Sequence, residues 1–117
     1  MIMTTHPMSL HPVPFEMIRS GQKTYELRLY DEKRRKVCPG DHIEFTNTET
    51  GEKMRCEVAA LHRFDSFEEL YASLPLLKCG YTEADINTAK PEDMNEYYTP
   101  EKQEKYGVIG IEIKTIS

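Results

Sequence analysis

The sequence predicts one small α+β domain spanning residues 1–117, its mixed strands curled into a small barrel with short helices beside them. Three observations predict it. The chain has 117 residues, and a domain of that size holds a single core. Its seven Pro and six Gly are scattered, with no repeat or low-complexity stretch, so no linker divides it. Segments alternating with period two are separated by short helical patterns, without the regular strand–helix repeat of a doubly wound parallel sheet.

The first helix is expected over 12–20. Pro12 and Pro14 suit a first turn, where a missing N–H costs nothing. Phe15 and Ile18 share a face, and Gly21 supplies the left-handed residue after the end. A strand follows over 23–30, where Tyr25, Leu27 and Leu29 alternate with Glu26, Arg28 and Tyr30. Residues 31–36 read as a charged connection and Pro39-Gly40-Asp41 as a turn. His42–Thr46, with Ile43 and Phe45 inward, pairs across the polar loop 47–51 with Lys53–Phe64, giving a hairpin. Ser66-Phe67-Glu68-Glu69 fits a capping box, and Phe67, Leu70, Tyr71 and Leu74 continue an amphipathic helix that Pro75 ends. Residues 76–99 are irregular, with Thr82 capping a short helix through Asn87. Thr99-Pro100 opens another helix. Val108 to Ile116, with Ile109, Ile111 and Ile113 on one face, is the clearest strand.

Composition excludes several classes of function. Apolar residues make up 38% and charged residues 30%, unlike a disordered chain. No apolar run approaches the ~20 residues that cross a bilayer, and Met1 to Leu10 lacks a basic segment followed by an apolar one, so no membrane or secretory role is expected. Cys38, Cys56 and Cys79 are odd in number and widely spaced, which fits a reducing cytoplasm better than a disulfide framework. Net charge is −5, but residues 1–63 hold ten basic and nine acidic side chains against five and eleven in 64–117. Such a chain has no general attraction for nucleic acid. A nucleotide role would need a local site, and the cations for one lie in the first half.

The stretch Gly21-Gln22-Lys23-Thr24-Tyr25-Glu26-Leu27-Arg28 is the most informative. Glu26 and Arg28 point the same way, and Lys23 enters the same strand. Lys23 offers a point charge to a phosphate or carboxylate, Arg28 a rigid fork for a planar anion or base edge, and Glu26 can orient Arg28 or accept from a ligand N–H. On a half-exposed strand such a Glu/Arg pair is usually a surface ion pair, worth ~0–1 kcal/mol. The run Lys33-Arg34-Arg35-Lys36 and Arg19 are the other basic candidates; Lys33 and Arg34, just after the motif strand, are placed at its rim, and Lys36 is read as solvated. Tyr97, Tyr98 and Tyr106 fit either core packing or a stacking platform. His6, His11, His42 and His62 are too dispersed for a metal motif, and no phosphate-cradling glycine loop or nucleophile elbow is present. No metal or other cofactor is expected.

Gly21-x-Lys23-x-x-Glu26-x-Arg28 resembles the signature of the ASCH family, the activating-signal-cointegrator homology domains, relatives of the PUA domains. The order of a leading helix, the Gly40-Asp41 turn and a closing aliphatic strand is similar from about Met8 to Ile113. The resemblance implies a PUA-like β-barrel with a cleft lined by Lys23, Glu26 and Arg28 that takes RNA or nucleotide-like ligands. Some small bacterial members similar to this chain hydrolyse amides on modified nucleosides such as N4-acetylcytidine, using a Lys that corresponds to Lys23, a Thr three residues later and a Glu beyond mid-chain. Here position 26 is Glu, Thr24 is the nearest hydroxyl, and Glu68, Glu69 and Glu83 compete for the later place.

Three functions follow as expectations. The first is binding of RNA, a nucleotide or a modified nucleoside through Lys23, Glu26 and Arg28, with Lys33 and Arg34 at the rim. The second is a small hydrolase of a modified nucleoside or RNA in which Glu26 activates water with help from Lys23. The third is a protein-interaction domain whose acidic second half docks a basic partner around residues 76–106. The pattern fixes no oligomeric state.

Overall fold

Five strands form one curled sheet. The computed structural model describes residues 3–116. Strand β1 (Thr5–Leu10) pairs parallel with β3 (His42–Asn47), which runs antiparallel to β4 (Lys53–Phe64). β4 pairs antiparallel with β5 (Val108–Thr115), and β5 with β2 (Tyr25–Leu29). A shift in the β4–β5 register between Val58 and Ala60 leaves one extra residue in β4, the bulge by which a sheet bends more sharply. Edge strands β1 and β2 therefore come round to face one another without pairing, making a half-barrel.

Helix α1 (Pro12–Arg19) connects β1 to β2 and buries Phe15 and Ile18. It ends at Arg19, one residue short of the expected end, with Ser20 as its C-cap. α2 (Glu32–Arg35) is a single turn capped by Asp31, whose side chain accepts from the Arg34 N–H. This corrects the expectation of a plain connection at 31–36: an N-cap and a following acidic residue suffice for one turn. α3 (Phe67–Ser73) is capped by Ser66, which accepts from the Glu69 N–H at 3.2 Å. Glu69 reaches past it to the Asp65 N–H at 3.0 Å, so the box closes one residue early. α4 (Pro100–Tyr106) starts with Pro100 after Thr99 as expected.

Between α3 and α4 the chain makes 3-10 turns at Leu76–Lys78, Ile86–Thr88 and Pro91–Glu96. The helix expected from Thr82 through Asn87 is replaced by a turn in which the Thr82 N–H and hydroxyl both meet Asp85 Oδ1, followed by the second 3-10 piece. Cap and helix start compete for the same short side chains, and the turn wins. β1 was not expected either. It is an edge strand carrying Pro7, which an edge tolerates because one side of its backbone needs no partner.

Two apolar clusters lie on opposite faces of the sheet. One gathers Phe15, Ile18, Ile43, Phe45, Val58, Ile109, Ile111 and neighbours inside the curl. The other joins Leu27, Leu29 and Val108 to Phe67, Leu70, Cys79 and Met94 beneath the 67–98 segment. β2 and β5 are thus covered on both sides, so side chains of either parity on them are withdrawn from water. Among the described residues, no helix is long and apolar enough to cross a membrane.

Candidate functional site

A cavity of about 660 Å³ opens between the two facing sheet edges, well within the size of ligand sites. Ser9 and Leu10 of β1 form one side, Glu26 and Arg28 of β2 the floor, Val13 and Met17 of α1 one end, and Cys79, Tyr81, Asp93, Met94, Tyr97 and Tyr98 the outer wall.

The chain delivers Lys23 to this cavity by a tight reversal. Gly21 takes φ of 86°, the left-handed conformation a helix exit wants and only glycine adopts freely. The Lys23 N–H then returns to the Met17 carbonyl at 3.0 Å, and the Thr24 N–H reaches the Lys78 carbonyl at 2.8 Å. Lys23 is held between α1 and the 78–80 segment, its aliphatic stem along Gly80, where an added Cβ would lie 3.7 Å from Lys23 Cδ.

The three motif side chains converge as the spacing predicted. Lys23 Nζ lies 2.8 Å from Glu26 Oε1, and Arg28 Nε donates to Glu26 Oε2 at 2.6 Å. Arg28 Nη2 also donates to the Ser9 carbonyl at 3.0 Å, so one guanidinium bridges the two unpaired edges. Lys23 is 9% and Glu26 4% exposed, which removes the reading of a solvated surface pair. Burial pushes the Glu26 carboxyl up, but the charges of Lys23 and Arg28 outweigh it and hold its pKa below the ordinary carboxylate value. Burial works against the Arg28 cation in turn, and Glu26 reverses it. The floor carries two cations and one carboxylate. Lys23 has three donors and Arg28 five, so both keep N–H groups for a ligand after making these bonds.

The outer wall holds a second polar chain. Tyr71 Oη lies 2.7 Å from Tyr81 Oη, which donates to Asp93 Oδ2 at 2.7 Å. Burial raises the pKa of Tyr71, Tyr81 and Tyr98, so all three stay neutral phenols. Tyr98 stacks on Phe67 with centroids 6.2 Å apart, while Tyr97 is 61% exposed at the mouth.

The remaining sequence candidates divide. Arg34 and Lys33 lie outside the cavity lining. Arg34 pairs with Asp31 at 3.1 Å, close enough to Tyr98 for its charge to act on the phenol, and Lys33 is exposed on α2. Arg19 is committed to Glu16 and Glu52. Tyr97 and Tyr98 reach the cavity, but Tyr106 packs beneath the sheet and borders a separate groove. Glu68 and Glu83 are exposed, Glu69 faces the other groove, and Thr24 is absent from the cavity lining. His62 bonds Glu112 at 2.9 Å beside Tyr25 at the sheet surface. No group of three potential metal ligands occurs among the described residues. The Tyr71–Tyr81–Asp93 chain escaped sequence reasoning. Tyr71 looked like one more apolar position of α3, and Tyr81 and Asp93 sit in the aperiodic segment.

Comparison with known proteins places the chain among ASCH domains: the family model matches residues 8–117, and the chain belongs to this family. Of solved structures, it is similar to the hypothetical protein PH0355, with 32% identity and a TM-score of 0.81 over 97% of this chain and 100% of the other. Protein PF0455 from Pyrococcus furiosus matches with 32% identity and a TM-score of 0.76, covering 97% of this chain and 99% of that one. ASCH from Zymomonas mobilis shares the fold at 15% identity, with a TM-score of 0.64 over 95% of this chain and 67% of that one. No curated protein matches the sequence. The fold is PUA-like, as the motif implied, with its sheet curled into a half-barrel, and is of a kind generally linked to RNA.

Proposed function

We propose that the cavity binds a nucleobase, presented as a modified nucleoside, a nucleotide or one position of an RNA strand. One observation carries the reading: a Lys23–Glu26–Arg28 cluster with donors to spare, buried at Lys23 and Glu26, forms the floor of a cavity whose outer wall carries Tyr81, Tyr97 and Tyr98. Charges are withdrawn from water only at a large cost that partners must offset. Here the partners are the cluster itself, so the donors are fixed in place before a ligand arrives. Base carbonyl oxygens and ring nitrogens are the acceptors such donors suit, Glu26 can take a ligand N–H on a free lone pair, and Tyr97 and Tyr98 offer flat faces for stacking.

Hydrolysis ranks second. A general base works best when its pKa lies near the working pH. Glu26 sits lower than an ordinary carboxylate and has both oxygens engaged. The docking of a basic protein is third: Asp85, Asp93 and Glu96 do line the acidic wall, yet that surface encloses a concavity instead of presenting a face.

Calorimetric titration of the protein with a panel of nucleosides, N4-acetylcytidine among them, tests the order. Binding that survives in the wild type and disappears in Lys23→Ala and Arg28→Ala, with both variants folded, supports the reading. Equal affinity in all three proteins refutes it, and steady product release from any panel member moves hydrolysis to first place.

A further inference from the structure

We propose that an RNA strand whose base occupies the cavity leaves it over α2, with backbone phosphates held by Arg35 and Arg63 around Tyr30. This rests on the nucleobase reading above and adds a second, phosphate-binding surface to it.

The charge around the cavity mouth is one-sided. Asp85, Asp93 and Glu96 lie on the outer wall, where a polyanion is repelled. The basic side runs from Arg28 at the floor toward α2: Tyr30 follows Arg28 by two residues, and the strand registers set Arg28 and Arg63 on either side of Ile109. Past Arg34 the same turn presents Arg35, whose guanidinium carbon lies 4.6 Å from the Tyr30 ring centroid. Arg63 of β4 comes to 4.1 Å from that same centroid. Neither Arg35 nor Arg63 makes an ion pair with a described residue, and neither do Lys33 and Lys36 on the flanks.

Two guanidinium groups gathered on one phenol ring without a carboxylate repel each other. The ring quadrupole attracts each of them and holds them in place. A phosphodiester oxygen between them would relieve the repulsion and find two planar forks, the geometry that suits arginine to phosphate. In a chain of net charge −5, this is where a local phosphate attraction can arise. Asp65, Glu69 and Glu104 line the same groove as Tyr30 and Arg63, so the track stops at this pair of arginines and suits a short single strand.

The test compares fluorescein-labelled, mixed-sequence single-stranded RNA hexamers with free nucleosides on the wild type and on Arg35→Gln/Arg63→Gln. Each phosphate contact on a single strand contributes a slope of ~0.7 in log affinity against log salt, or about fivefold at 0.1 M relative to 1 M salt. Loss of two contacts should weaken hexamer binding about 25-fold at 0.1 M salt and flatten the slope by about 1.4, leaving nucleoside affinity unchanged. Should the double variant melt early, Arg63→Gln alone, at an exposed position of β4, should show about fivefold and a slope change of about 0.7. An unaltered hexamer affinity and slope overturn the track while the cavity reading stands. A wild type that binds hexamer no more tightly than nucleoside does the same, and one that binds neither removes both.

Discussion

Replacing Glu26 by Gln keeps the shape of the side chain and removes its charge, leaving the buried Lys23 and the half-buried Arg28 as two cations without a counterion. Removing one partner of a buried pair costs ~3–5 kcal/mol. The amide oxygen still accepts from one cation, which puts the expected loss near the lower end, about 3 kcal/mol. For 117 residues, an unfolding entropy of ~2.1 cal/mol/K per residue turns that loss into a fall in Tm of about 12 °C. The pH dependence gives a sharper signature. Glu26 has a folded pKa below its ordinary value, so the unfolded chain binds more protons between the folded and unfolded pKa values. Its contribution is complete above the unfolded pKa and is lost as pH falls through the folded one. Melting curves by circular dichroism between pH 7 and pH 3 should show a wide gap between wild type and Glu26→Gln at neutral pH that closes in acid. Glu52→Gln, at a solvent-exposed pair with Arg19, should leave the melt where it was. A Glu26→Gln protein that melts within about 3 °C of wild type at pH 7, a quarter of the expected shift, would show that the cluster is neither buried nor coupled as described.

Three further outcomes follow from the same geometry. Cys38 is exposed, whereas burial pushes the thiols of Cys56 and Cys79 up to about 11; a colorimetric thiol reagent at pH 8 should find one fast cysteine in the native protein and three after unfolding. Asp41 accepts from His6 Nε2 at 2.8 Å, the Cys38 N–H at 3.0 Å and the Thr4 N–H at 3.2 Å, pinning β1 to the turn before β3. Asp41→Ala should therefore accelerate amide hydrogen exchange in β1 selectively, and uniform exchange across the sheet would contradict that role. Tyr97→Ala removes an exposed ring at the cavity mouth and should weaken nucleoside binding by ~1–3 kcal/mol, or about 5- to 150-fold, with the melt unchanged; full affinity in that variant would take Tyr97 out of the site.

Much of this architecture could be read from the chain because the signals were local. Pro12 and Gly21 frame α1, the alternation of Ile43 and Phe45 with polar neighbours marks β3, and Ser66 and Thr99 cap the helices they were expected to cap. The motif spacing brought Lys23, Glu26 and Arg28 together. What stayed hidden depends on distant partners. β1 becomes a strand because its backbone finds β3 in parallel register, and Pro7 and the lack of alternation conceal it. Glu26 is buried because the β1 edge and the 78–98 segment close over β2, which no pattern in β2 announces. The phenol chain from Tyr71 to Asp93 joins residues 12 apart at its Tyr81–Asp93 end through 3-10 turns without periodicity. The distinction between a surface pair and a buried cluster therefore required tertiary structure.

The central claim is that a pre-formed donor cluster between two unpaired sheet edges receives a nucleobase, and nuclear magnetic resonance tests it most directly. Titrating the 15N-labelled protein with nucleosides should shift the amides of residues 23–28, Ser9, Leu10 and 79–81 together, and Lys23→Ala should abolish those shifts while the rest of its spectrum stays native. Shifts confined to other surfaces, or an unmoved spectrum at millimolar nucleoside, would contradict the account.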